Sequence, residues 1–164
     1  MGIDPGSTIT GWGVVESRGT ALHHVASGTI RLPRVEINER LLVIFEQVRE
    51  AIRDTHPEVV AVEKVFVARN ARSALTLGQA RGAALVACAG LCDSVSEYSA
   101  LQIKQAVTGR GRADKQQVQH MIRVLLGLRE APQADTADAL ACAVCHISYA
   151  RSRDRYAAAA GAWS

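Results

Sequence analysis

Hydrophobic positions shift in period along the chain, and the shifts predict its elements. Gly2-Ile3 is a short apolar run that ends at Asp4, and Pro5-Gly6-Ser7 turns the chain. Residues 10–16 alternate apolar and polar, Ser17-Arg18-Gly19 reads as a hairpin turn, and residues 21–31 return as a third strand. The period then lengthens. Asn38 can cap a helix in which Leu41, Leu42, Phe45, Val48 and Ile52 recur on one face, until His56-Pro57 stops it. Residues 59–62 form a continuous apolar run rich in β-branched Val, as in a buried parallel strand, that ends at Glu63. A loop over 65–72 precedes a helical segment over 73–90, apolar almost all round from 83 to 91. Residues 94–97 suit a short edge strand. Helical patterns cover 100–107, 115–126 and 134–149, the last just after Pro132.

This order, a meander of strands followed by alternating helices and strands, predicts an α/β fold. With 164 residues it is one domain's worth of chain. We expect the domain over 1–150 and a frayed tail over 151–164, where no apolar pattern continues. No run of 18 or more uncharged apolar residues predicts a membrane span, and the start shows no basic-then-apolar signal. Four cysteines are too few for a disulfide scaffold, so a reducing, cytoplasmic setting is the expectation.

The acids carry the first chemical signal. Asp4 closes the first strand and Glu63 the fourth. If those strands are parallel neighbours, both acids meet at one carboxyl edge, where open α/β sheets place their sites. Asp135 and Asp138 lie three apart, on one face of the last helix near its start. Four converging carboxylates would need cations, and hard divalent ions with oxygen ligands answer that need, Mg²⁺ first. Two such ions suit in-line displacement at phosphorus. Taken singly, each acid has an ordinary reading: a turn residue before Pro-Gly, a solvated strand end, a helix-start Asp favoured by the dipole.

Charge along the chain is uneven. Nineteen Lys and Arg against sixteen Asp and Glu leave only +3. From residue 64 to 82, however, Lys64, Arg69, Arg72 and Arg81 meet no acid. From 99 to 129, Lys104, Arg110, Arg112, Lys115, Arg123 and Arg129 face Asp114 alone, while the opposing acids gather over 36–54. Two basic segments thus flank the acids, as phosphate contacts or as a solvated face. Phe66, three residues past Glu63 in a basic loop, can stack on an unpaired base or pack in the core.

The motifs GIDPGSTITGWGVV, VEKVFVARNARSALTLGQARG, SALQIKQAVTGRGRADKQQVQHMI and PQADTADALA, in this order, resemble the RuvC-type Holliday junction resolvases over most of residues 2–146. The resemblance implies an RNase H-like mixed five-stranded sheet with helices on both faces, and a symmetric homodimer. It implies Mg²⁺-dependent nicking of two like-polarity strands of four-way junction DNA in recombination and repair, with Mn²⁺ as a substitute. The products it implies are 5′-phosphate and 3′-hydroxyl ends, and the partner it implies is a branch-migration complex. The family's catalytic, metal-holding acids fall on Asp4, Glu63, Asp135 and Asp138. Its base-stacking aromatic falls on Phe66, and its DNA-binding lysines on Lys104 and Lys115; Arg69, Arg72 and Arg110 are further candidate phosphate contacts. Family members carry a few apolar residues before GIDPG, whereas only Met1 precedes Gly2 here, which puts the stability of the first strand in question. Small residues over 73–90, with Gly78 and Gly82 four apart, would let helices of two protomers approach closely; simple burial against the sheet is the alternative.

Other signals compete. Cys142-Ala-Val-Cys145-His146 matches the c-type haem attachment pattern, yet Asp135, Asp138, Cys142 and Cys145 form one helical stripe. The cysteines therefore read as buried fillers, and neither haem nor a zinc site from Cys88, Cys92, Cys142 and Cys145 is expected. His120 reads as a packed or hydrogen-bonded histidine. An actin- or sugar-kinase-like ATPase, suggested by GIDPGST, needs a second such half and about twice this length. A junction-binding module without catalysis is disfavoured by the intact acids.

Overall fold

The alternating N-terminal residues form an antiparallel meander, and the later apolar runs extend it with parallel strands. A computed structural model describes the backbone of residues 1–64 and 70–161, and side chains through residue 158. The elements are β1 (Gly2–Asp4), β2 (Ile9–Arg18), β3 (Ala21–Arg31), α1 (Ile37–Thr55), β4 (Val59–Glu63), α2 (Ala71–Cys88), β5 (Ser94–Tyr98), α3 (Ala100–Thr108), α4 (Lys115–Leu125) and α5 (Ala134–Gly161). Among the described residues the strands make one five-stranded sheet, ordered β3-β2-β1-β4-β5. β1, β2 and β3 pair antiparallel, while β4 runs parallel to both β1 and β5.

Side chains on β4 alternate between two cores, as a strand buried on both faces must. Val60 and Val62 join Ile3 under α1 and α2, where Ile44, Val48 and Ile52 are fully buried. Each such side chain contributes roughly 1.5–3 kcal/mol of transfer free energy. Ala61 faces the opposite core, with Ile103, Ile122 and Leu140 from α3, α4 and α5. The mixed sheet with helices on both faces is the expected architecture.

Three helix ends differ from the sequence pattern. α2 begins at Ala71 rather than Ser73, because the Asn70 side chain accepts a bond from the Arg72 amide at 2.9 Å. α1 starts at Ile37 behind Glu36, so Asn38 lies inside its first turn. α5 continues past residue 149 to Gly161, and the boundary expected at 150 falls within it. Arg151 supports that extension: its guanidinium donates to Ser17 Oγ at 2.7 Å and to the carbonyls of Gly19 and Thr20 at 2.8 and 3.2 Å. These bonds tie the helix to the β2–β3 turn, and the alanines that follow favour helix. Among the described residues no helix is long and apolar enough to cross a membrane.

α5 lies directly on the sheet because β1 and β2 present glycine beneath it. A Cβ at Gly2 would run into the Ala139 carbonyl, and one at Gly11 into the Asp135 carbonyl. At Gly13 it would meet the Leu140 side chain at 2.5 Å. Gly2 pairs with Gly13 and Asp4 with Gly11, so the bare patch is contiguous across two strands. Gly11→Ala is expected to destabilise the protein by about 1–3 kcal/mol through overpacking. Urea unfolding checks this, and an unchanged midpoint would contradict it.

Candidate active site

The four acids come from three elements whose local structure brings them together. β1 and β4 pair with Gly2 opposite Ala61 and Ile3 opposite Val62. One further step of this register sets Asp4 beside Glu63 at the carboxyl ends of both strands. On its other side Asp4 faces Gly11, which lies beneath the Asp135 backbone at the start of α5. Asp135 stands in the first turn of α5 and Asp138 one turn later, on the same face. Asp135 is favoured there by the helix dipole. Gln119 of α4 donates to the Pro132 carbonyl at 2.5 Å and ties down the approach to α5.

Two lysines reach this cluster from capped helices. Ser99 and Gln102 form a capping box at the start of α3, which carries Lys104. Asp114 and Gln117 form another at α4, and Lys115 is its first residue. Lys115 Nζ lies 3.2 Å from Asp138 Oδ2. The Asp138 carboxylate raises the Lys115 ammonium above its usual range, with smaller contributions from Asp4 and Asp135. Lys104 acts on Glu63, lowering its proton affinity.

Asp4 shows how crowded the negative charge is. Its carboxyl is pushed up to about 7, first by burial and then by Asp138, Glu63 and Asp135; Lys115 opposes the shift. Glu63 is also raised, by burial first and Asp138 next, with Lys115 and Lys104 opposing. A divalent cation is the partner that suits such a set. The donors are all carboxylate oxygens, the hard ligands of Mg²⁺ or Mn²⁺. Among the described residues no three acidic, His or Cys side chains already form a cage around one point. Mg²⁺ requires none, since it is commonly held by one or two carboxylates with water and substrate phosphate completing the shell.

The remaining predicted positions divide. Arg72 is exposed near the start of α2 and Arg110 is exposed beyond α3, both free to meet a phosphate. Phe66 and Arg69 lie outside the described residues. His120 is exposed on α4, not packed as its sequence neighbourhood suggested. Cys142 and Cys145 are buried along α5 in line with the acids, and burial pushes the Cys145 thiol up to about 12. Arg81, counted in sequence with the basic segment, instead pairs with Glu97 of β5. Sequence reasoning missed that inward turn, because a lone Arg in a basic run carries no sign of its direction.

Asp4 and Glu63 make the metal-free fold pH-dependent. A carboxyl raised above its unfolded value contributes stability that is present below about pH 4 and lost as pH rises through the folded value, here about 7 for Asp4. The buried Met1 ammonium, lowered to about 6 by burial, acts in the opposite sense over the same interval, so the effect is read as a difference: in EDTA the melting temperature of the parent relative to Asp4→Asn should fall from pH 5 to pH 8. A parent-minus-variant difference that does not decline over this interval would contradict the crowding.

Comparison with known proteins points to one family. The family model for crossover junction endodeoxyribonuclease RuvC matches residues 1–146. The enzyme of that name from Marinobacter nauticus is 52% identical over 161 residues, covering 98% of this chain and 92% of the relative. The Pseudomonas aeruginosa enzyme is 56% identical over 146 residues, covering 89% and 84%. The structure of Thermus thermophilus RuvC in complex with a Holliday junction substrate superposes with a TM-score of 0.86 at 40% identity, covering 92% of this chain and 93% of that one. The yeast mitochondrial Holliday junction resolvase Ydc2, at 11% identity and a TM-score of 0.71, shares the fold, covering 94% of this chain and 81% of its own. The chain belongs to the RuvC family of crossover junction endodeoxyribonucleases.

Proposed function

We propose that this protein resolves four-way DNA junctions by metal-assisted hydrolysis of phosphodiester bonds, with Asp4, Glu63, Asp135 and Asp138 as the catalytic acids. The observation that carries this reading is the meeting of these acids at one sheet edge, in a chain of the RuvC family. Mg²⁺ is the cation that best fits the all-carboxylate set, with Mn²⁺ as a substitute. Bound divalent ions supply an activated water and charge stabilisation at the leaving oxygen. The acids of β1, β4 and α5 offer the oxygens that hold such ions at the strand ends. Lys115, paired with Asp138, and Lys104, whose charge acts on Glu63, supply positive charge toward the scissile phosphate. Lys115 also limits repulsion among the acids while DNA is absent. Cleavage leaves 5′-phosphate and 3′-hydroxyl ends.

Around this centre, Arg72 and Arg110 meet the phosphate backbone, and Arg69 and Phe66 complete the DNA surface, Phe66 by stacking on an unpaired base. Two strands are cut because two protomers act together. Support for a homodimer comes from α2, whose outward stripe carries exposed Leu75 and Val86 on either side of Gly78 and Gly82. A Cβ at either glycine would meet nothing within 4 Å, so a second helix could approach closely there. An isologous contact along this stripe would place two active sites under one two-fold axis. The working compartment is the cytoplasm, with a branch-migration complex delivering the junction.

Junction DNA should bind in EDTA without being cut, and Mg²⁺ should start paired nicking. Asp4→Asn should bind the junction as the parent does and lose at least about a hundredfold in cleavage. Cleavage in EDTA, or full cleavage by Asp4→Asn, would overturn the reading.

A further inference from the structure

Arg81 belongs by sequence to a run of basic residues, yet the structure turns it away from solvent. Its side chain is 20% exposed, and both ends of its guanidinium are engaged. Nη2 pairs with the Glu97 carboxylate on β5, and Nε donates to the main-chain carbonyl of Glu63 at 3.4 Å. The next amide along the chain, that of Lys64, donates to the Tyr98 carbonyl at 2.8 Å. The Glu63 carbonyl and the Lys64 amide are two ends of one peptide unit. That unit is therefore gripped on one side by α2, through Arg81, and on the other by β5. β4 ends at Glu63, so this peptide unit lies at the end of the strand. Fixing the peptide fixes the backbone torsion that follows the Glu63 Cα, and with it the base from which the carboxylate projects toward Asp138 and Asp4. Glu97 completes the device: it pairs in register with Val62 of β4 and holds the guanidinium in place.

We propose that Arg81 is a positioning residue, a clamp anchored on Glu97 that aims Glu63 into the acid cluster. The proposal rests on the reading of Glu63 as a cation ligand. Glu97, the carboxylate of the pair, is 40% exposed, and an ion pair with one solvated partner adds little to global stability, so its removal should show in the site more than in the fold. A fork of donors is needed to reach both a carboxylate and a carbonyl, which lysine does not offer.

Three variants test it: Arg81→Gln, Arg81→Lys and Glu97→Gln. Mn²⁺ binding to the DNA-free protein is followed by electron paramagnetic resonance, junction binding is measured in EDTA, and nicking is titrated with Mg²⁺. Loss of an outer partner of a metal ligand commonly weakens binding by 10–100-fold. Arg81→Gln should accordingly weaken Mn²⁺ binding and raise the Mg²⁺ midpoint for nicking by roughly tenfold, with junction binding in EDTA within about twofold of the parent. Arg81→Lys and Glu97→Gln should shift both quantities in the same direction by less. Parental Mn²⁺ affinity in Arg81→Gln would overturn the proposal, as would a loss confined to junction affinity, which would make Arg81 a DNA contact. If Arg81→Gln does not fold, parental Mn²⁺ affinity in both other variants overturns it. Asp4→Asn separates the two levels: nicking retained there refutes the site itself, whereas nicking lost there with Arg81→Gln behaving as the parent refutes only the clamp.

Discussion

The approach of α5 to the sheet is the constraint on which the remaining features depend. A helix packed on a sheet through ordinary side chains stands off by the width of those side chains. Here Gly2, Gly11 and Gly13 remove them, and the backbone of α5 rests on β1 and β2. The contact is as close at Gly11 as at Gly2, and Gly11 is the residue paired with Asp4 and lies against the Asp135 carbonyl. The same bare patch that seats the helix therefore brings its first acids over the end of β1. Parallel pairing with β4 adds Glu63 from the neighbouring strand end. Three elements far apart in sequence deliver carboxylates to one place without any loop being asked to position them, and sites built on rigid elements hold their geometry better than sites on loops.

This arrangement stores electrostatic repulsion. Burial and three neighbouring acids raise Asp4 to about 7, so in the absence of added positive charge the cluster holds a proton near neutrality. The two lysines relieve part of the repulsion, and they enter from helices whose starts are fixed by capping boxes. A divalent cation would relieve more of it and displace the proton. Binding of cation, loss of the proton and readiness for phosphodiester chemistry are thus linked through one carboxyl group. Arg81 acts on the same cluster from behind, through the main chain of Glu63.

Much of this was legible in the sequence because it depends on short-range pattern. The Val-rich apolar run at 59–62 announced a doubly buried strand, and its Glu63 terminus is where the sheet edge lies. Asp135 and Asp138 share a face by helical spacing alone, and the buried cysteines continue that face. What did not show was tertiary. The three glycines gave no sign of lying under a helix, since their role is defined by what crosses them. Arg81 and His120 exchanged their expected environments, the basic residue turning inward and the histidine outward, because a single polar side chain on a helix has no periodicity of its own. The length of α5 was underestimated at 149, since Arg151 finds its partners in a turn more than a hundred residues earlier.

The central claim is that four acids behave as one cation-seeking site, and Asp4 reports on it. The titration of its carboxyl carbon, followed by nuclear magnetic resonance in metal-free protein and again with Mg²⁺, tests that claim most directly. The account predicts a midpoint of about 7 without metal, moving to lower pH when Mg²⁺ is added. A midpoint in metal-free protein near the ordinary aspartate value of about 4, or one that Mg²⁺ leaves in place, would contradict it.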